Sequence, residues 1–279
     1  MDAKSPHVVC IIVNWNGWAD TLNCLESFKT NLYDNVSLIL VDNGSTNDSV
    51  SRIRSAFPAL EIIESKANLG FGSGNNLGIR HALERGAKYV WLLNNDTIIR
   101  PDTLPELVKT AEADLTMGAV GSVLHYLHAP NAIQAWGGGH VNLWMGTSHH
   151  FHEPVPSGQI DFITAASILL PAKVLRQVGL FDEHYFMYWE DTDLCFRIRQ
   201  AGWRLGVAEK AIVLHKEGAS SGARNPQFDR WVTIGGVIFL KQYAPFPSIS
   251  CFMMIFPRAL KRFLLGEWAR GWAILNART

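Results

Sequence analysis

No apolar run in this chain reaches the roughly 20 residues that a membrane-spanning helix needs. The nearest candidate, residues 234–256, is interrupted by Lys241, Gln242, Pro245 and Pro247. Charge of one sign is also missing. The 25 Lys and Arg balance the 25 Asp and Glu, which excludes a nucleic-acid partner held by bulk charge. Cysteine is scarce and scattered. Cys10, Cys24, Cys195 and Cys251 form no CxxC pair, so neither a zinc cage nor a disulfide framework is expected. The polar start MDAKSPH and the short apolar run over 8–13 lack the build of a secretory signal. These absences together set the expectation of a reducing, cytoplasmic location. Internal repeats and low-complexity linkers are missing as well.

Apolar material is plentiful. The 279 residues are 48% hydrophobic, enough for one sizeable core with an appendage. VVCIIV (8–13), VSLILV (36–41), LEII (60–63), YVWLL (89–93) and GAVGSVL (118–124) are continuous apolar runs, the pattern of strands buried on both faces. Helical patterns separate them at 18–30, 49–57, 73–85 and from Pro101, a first-turn proline. Strands alternating with helices predict an α/β fold, a mostly parallel sheet with helices on both faces. Residues 125–160, rich in His, Gly, Trp and Pro, read as loops with room for a hairpin. Beyond them lie an apolar stretch at 162–170, a helix from Pro171 to about Gly179, and another from the acidic stretch to Ala201. WRLGVA and AIVLH read as two strands, 228–243 as a helix, and 257–275 as one basic, amphipathic helix.

Ligands of such sheets bind beyond the carboxyl ends of the strands. Those ends are polar here: Asn14 to Gly17, Asp42 to Ser45, Asn68 to Asn76, and Asn94 to Asp96. Each admits a bland reading. Asp42 could hold a ribose or a pyrimidine N–H, or cap a helix, although Ser45 or Thr46 suits capping better. Gly70, Gly72 and Gly74 match the dinucleotide fingerprint only loosely and stand in the wrong place, since the first strand is followed by Asn14-Trp15-Asn16-Gly17. That disfavours a nicotinamide-dependent oxidoreductase. Asp96 is a turn residue or a ligand of a divalent ion bridging a diphosphate, which needs only one or two protein carboxylates. His149, His150 and His152 match no zinc spacing. In YWEDTDLCFRIRQAGW (188–203), Asp193 and Arg197 form an i, i+4 pair. Glu190 and Asp191 are left without a structural assignment.

Taken in order, IIVNWNG, VDNGS, NLGFGSGNNLGI, WLLNNDT and GLFDEHYFMYWEDTDLCFRIRQAGW resemble the family 2 inverting glycosyltransferases of the GT-A fold, with the rhamnosyltransferase-like subgroup nearest. Each motif alone is unspecific; five in this order over about residues 7–220 are specific. The resemblance implies that Asp42 binds the nucleotide base, and that Asn14, Asn16, Asn43, Asn95 and the Gly70–Asn76 loop, with Gly74 and Asn75, line the nucleotide sugar. It implies Asp96 and His215 as ligands of Mg2+ or Mn2+, Asp191 as catalytic base, and Trp189 and Glu190 on the acceptor side. Asn94 stands where the family's DxD motif has its first acid, and Thr164-Ala165-Ala166 departs from the more common Gly next to Ala.

The implied domain runs over 1–225, with a nucleotide-binding half about 1–125 and an acceptor half about 126–225. Residues 226–279 form a C-terminal helical extension. The implied reaction moves a sugar, rhamnose by the subgroup, from a dTDP- or UDP-sugar to a hydroxyl of a glycan or polyprenyl-linked acceptor in cell-surface polysaccharide synthesis. The rival is a sugar-nucleotide or glycan-binding protein without catalysis. The 257–275 helix suits either a homodimer partner or peripheral contact with the inner face of the cell membrane.

Overall fold

The structure, a computed structural model, describes residues 5–216 and 225–277. It begins with β1 (Val8–Asn14), α1 (Trp18–Ser27), β2 (Val36–Asp42), α2 (Ser49–Ala56), β3 (Glu61–Glu64), α3 (Phe71–Glu84) and β4 (Tyr89–Asn94). β1 pairs in parallel with β2 on one side and β4 on the other. The strand period of two sends Val9 and Ile11 into one apolar cluster and Val8, Cys10 and Ile12 into the other. Both faces are therefore covered, as the continuous apolar runs predict. Register decides the rest: Asn14 lies opposite Asp42, and Val13 opposite Asn94. The polar strand ends are brought to one edge.

β5 (Thr97–Ile99), α4 (Thr103–Ala113) and β6 (Met117–Tyr126) follow, then β7 (Ala129–Trp136), β8 (Gly138–Asn142), β9 (Thr147–His150), β10 (Phe162–Ile163) and β11 (Ser167–Pro171). α5 (Ala172–Val178), α6 (Glu190–Gln200), β12 (Arg204–His215), α7 (Pro226–Tyr243), α8 (Pro247–Leu264) and α9 (Trp268–Leu275) complete the described chain. The main sheet runs β3-β2-β1-β4-β11-β6-β12-β5, with β7 paired to β6. β11 lies antiparallel between β4 and β6. A small antiparallel sheet, β10-β8-β9, sits apart.

The hairpin that residues 125–160 had room for is β8–β9, and β7 adds a further strand where a loop was expected. The hairpin's glycines hide its period: a Cβ on Gly138 would stand 1.7 Å from the Phe162 carbonyl oxygen, and one on Gly139 1.9 Å from that of His149. The strands pass too close for side chains there, so no apolar alternation marks them. WRLGVA and AIVLH form one strand, β12, with an irregularity between Ala208 and Ile212. The single helix expected over 257–275 is two. α8 starts ten residues earlier at Pro247 and carries Pro257 in its interior; α9 follows the left-handed Gly266. Pro247, not Pro257, occupies the first-turn position. Phe239 and Leu240 of α7 and Met254 of α8 join the same buried cluster as Trp189. Among the described residues no helix is long and apolar enough to cross a membrane.

Candidate active site

The polar edge opens into a cavity of about 650 Å3 lined by Asn16, Asn43, Gly70, Asn95, Asp96, Glu190, Asp191 and His215, all singled out in the sequence. Behind this lining stands a second layer. Asp42 is buried; its carboxylate accepts from Asn14 Nδ2 at 2.8 Å, Ser45 Oγ at 2.6 Å and the Ser45 amide at 2.9 Å. Asn14 in turn takes the Thr21 hydroxyl at 2.9 Å. These bonds fix the 42–45 turn beside the cavity. Asn43 clamps the next loop, donating to the Gly70 carbonyl at 2.9 Å and accepting from the Leu69 amide at 3.1 Å. Gly70 has φ +86°, and a Cβ there would meet the Phe186 carbonyl oxygen at 2.2 Å, so only glycine fits. Gly74 and Asn75 lie inside α3; Asn75 donates to the Phe71 carbonyl at 3.0 Å and does not reach the cavity.

Asp96 and His215 come from strands far apart in sequence. β12 pairs antiparallel with β5, His215 opposite Thr97, which sets the imidazole beside Asp96. Nε2 of His215 stands 3.3 Å from Asp96 Oδ1, yet that buried oxygen has no hydrogen-bond partner. On its other side, His215 Nδ1 lies 2.7 Å from Gln134 Oε1. An amide oxygen only accepts, so Nδ1 carries the proton and Nε2 presents a lone pair. A carboxylate oxygen without a hydrogen bond and an imidazole nitrogen held only by a long 3.5 Å contact with the Asn94 amide converge, with the ring oriented from behind, and fit a divalent cation. Among the described residues no group of three or more His, Cys, Asp or Glu could hold a metal. The remaining ligands would come from substrate and water, as suits an ion that clamps a diphosphate. Gln134 escaped the sequence reading because its strand shows no apolar period. His149, His150 and His152 do not converge: His149 packs against His140, His150 against Phe162, and His152 on the Ile133 carbonyl.

At the far wall, Tyr188 and Trp189 both have positive φ, 72° and 75°. This left-handed pair turns the chain sharply into α6, a strained arrangement of the kind found at functional sites. Trp189 is buried against Phe239, its Nε1 donating to the Val232 carbonyl at 3.2 Å. Its indole props the turn while also lining a second cavity of about 450 Å3. Thr164, Tyr188, Glu190 and Asp191 line both cavities. The carboxylates therefore form the partition between two chambers.

The two acids differ in their bonds. Asp191 Oδ1 accepts from the Thr192 amide at 2.7 Å, and Oδ2 from the Ala165 amide at 3.1 Å. Burial raises its pKa, while these bonds and His150 pull it back down. Glu190 is pushed well above the ordinary range by burial and then by the charge of Asp191, and its Oε2 has no partner. Burial raises both groups, Glu190 the more strongly, and Asp191 alone has backbone amides on both oxygens, so of the two it is the better placed to carry negative charge. Asp193 faces elsewhere. It accepts from Arg197 Nε and from the Tyr243 hydroxyl, both at 2.8 Å. Arg197 also ties down the Val178 and Leu180 carbonyls, each at 2.7 Å.

Residues 6–233 match the family model described as glycosyltransferase like family 2. The chain belongs to this family. The transferase is 31% identical over 217 residues to the N-acetylglucosaminyl-diphospho-decaprenol L-rhamnosyltransferase of Mycobacterium tuberculosis, covering 68% of this chain and 69% of that one. It is 25% identical over 227 residues to the dTDP-rhamnosyl transferase RfbF of Shigella flexneri, covering 77% and 71%. Among solved structures, it is similar to the Pyrobaculum calidifontis mannosyltransferase PcManGT in complex with GDP-Man and Mn2+, with a TM-score of 0.64 at 17% identity over 99% of this chain and 75% of that one. The fold of the transferase is GT-A, as its motifs imply.

Proposed function

We propose that the transferase moves a sugar, with inversion, from a nucleoside diphosphate to a hydroxyl on a lipid-linked glycan. The observation that carries this reading is the shared wall: Asp191 borders the cavity that reaches Asp96 and His215 and also the second cavity. On this reading the donor fills the first, with its nucleotide against the 14–17, 42–45 and 68–76 loops. The acceptor enters the second. Asp191 takes the proton of the attacking hydroxyl as that oxygen forms its bond to the anomeric carbon, and the nucleoside diphosphate leaves from the opposite side. Glu190, holding its proton, offers a hydrogen bond to a substrate oxygen. Asp96 and His215 would hold Mn2+ or Mg2+, which supplies Lewis-acid charge for the departing diphosphate.

The activities for which the two relatives are named support rhamnose as the sugar, dTDP as the carrier and a prenyl diphosphate acceptor. The residue division follows: a nucleotide half in about 1–125, an acceptor half in 126–225, and an extension beyond. A binding protein without catalysis would not need a carboxylate kept ionised between two chambers. The experiment is to incubate the purified protein with dTDP- and UDP-sugars and Mn2+ and to follow nucleoside diphosphate release. Slow release from one donor without acceptor is the expected result; binding of a donor without any release would support the non-catalytic rival.

The extension carries the second part of the proposal. α8 and α9 expose Phe252, Phe256, Leu260, Leu264, Trp268 and Trp272, each more than half exposed. Arg262 and Arg270 point the other way, onto buried Asp229, while Lys261 is exposed beside the apolar groups. A helix pair with its ion pairs inward and its apolar and indole groups outward suits the interface of a lipid bilayer. The protein is expected to float with anionic vesicles and to stop floating when Phe256, Leu260 and Trp268 are replaced by Ser. Failure of both proteins to float would contradict membrane contact and direct attention to a second copy of the chain, and flotation of both would contradict the role of these three residues.

A further inference from the structure

The second cavity is lined by acids and by a base: Glu190 and Asp191 come from α6, and Arg258 of α8 reaches the same cavity from the C-terminal helices. Neither acid is among the charges that act on Arg258, so the cavity has an acidic part and a separate basic part. Arg258 belongs to a cluster that is short of negative charge. Asp229 is buried and takes Arg270 Nε at 2.5 Å and Arg262 Nη2 at 3.4 Å. Glu267 takes both of these arginines as well, at 2.9 and 3.1 Å. Three guanidinium groups therefore face two carboxylates, and Arg258 stands off from Asp229 at 4.0 Å. Among the described residues it makes no hydrogen bond. Burial and the neighbouring Arg262 disfavour its charged form, with Asp229 opposing them. A partly buried guanidinium whose nearest carboxylate stands at 4.0 Å, lining a cavity, is a ready partner for an oxyanion.

We infer that Arg258 binds the diphosphate of a prenyl-linked acceptor, placing the carrier at the Arg258 end of the second cavity and its sugar at the Asp191 end. This rests on the transferase reading and adds to it the residue that holds the acceptor's diphosphate. The polarity allows only this direction, because an anion placed at the acidic end would meet Asp191. The outer side of the same helix bears Phe252, Phe256 and Leu260, exposed. A carrier leaving past Arg258 would thus pass from a cationic group to an apolar surface, the order in which a lipid diphosphate presents its own parts.

The test is a calorimetric titration of the full chain, its donor cavity filled with nucleoside diphosphate and Mn2+. The ligands are farnesyl diphosphate, farnesol and inorganic pyrophosphate. The native protein should bind farnesyl diphosphate more tightly than either of the others. Arg258→Met should weaken farnesyl diphosphate by about 10- to 100-fold and erase its advantage over farnesol, and Arg258→Lys should keep part of it. Unchanged affinity in Arg258→Met, or no preference for farnesyl diphosphate over farnesol in the native protein, would overturn the proposal. Pyrophosphate binding as tightly as farnesyl diphosphate would overturn the prenyl carrier. The two readings separate cleanly. Arg258-dependent binding without any sugar-nucleotide turnover removes the transferase reading alone, and turnover without such binding removes this one alone.

Discussion

Asp191→Asn is expected to lower sugar transfer by about 10²- to 10⁴-fold while leaving donor binding nearly intact. The amide keeps the outline of the side chain and accepts no proton, but its single oxygen can take only one of the Thr192 and Ala165 amides that the two carboxylate oxygens hold. The lost bond lowers stability, and an opposite electrostatic effect offsets part of that loss. Burial raises the pKa of Asp191 in the folded protein, so between its unfolded and folded pKa values the native state binds more protons than the unfolded chain. Stability then falls as pH rises through that window, and removing the ionisable group removes that loss at neutral pH. Asp193→Asn should act mainly on stability. Its carboxylate is buried and paired with Arg197, and breaking such a pair costs about 3 kcal/mol, read as an earlier urea midpoint. Activity in the native protein should fall on the acid side with an inflection above the ordinary carboxylate range. Near-normal turnover in Asp191→Asn alongside an inactive Glu190→Gln would show that the base is Glu190.

The second large effect concerns the cation. Chelator is expected to abolish transfer, and either Mn2+ or Mg2+ to restore it, because Asp96 and His215 offer a mixed oxygen and imidazole pair. Removing the group behind the imidazole gives a finer readout. Gln134→Ala leaves His215 Nδ1 without its 2.7 Å partner and should weaken metal affinity by about 10- to 100-fold, seen as a shift of the Mn2+ concentration needed for half activity. Full activity in chelator would contradict the metal assignment.

The edge proposed for the donor was legible in the sequence because it depends on local pattern. Continuous apolar strands in parallel register carry their polar ends to one edge, and Asn14, Asp42 and Asn94 arrive together for that reason. The sequence could not show how Asp42 would be occupied. Its bonds to Asn14 and Ser45 depend on the register between two strands, and they place it behind the lining rather than in it. Trp189 likewise acts in part as a prop, because Phe239, about fifty residues downstream, packs on its ring. The side proposed for the acceptor was less legible. β8 lacks an apolar period where Gly138 and Gly139 let backbones approach, and β7 lacks one because its first half is largely exposed, so Gln134 had no visible context. Arg258 and Arg262 were recognisable as opposite Leu260 and Leu264 on a helix, but only the fold turns the charged side inward toward Asp229 and leaves the apolar side exposed.

A single displacement with one base, and no carboxylate nucleophile, fixes the stereochemistry of the product. The decisive measurement is the proton NMR spectrum of the sugar released from the nucleotide donor in Mn2+ buffer, recorded before mutarotation. The account predicts that the first-formed sugar carries the anomeric configuration opposite to that of the donor; a first-formed product with the donor's own configuration would contradict it.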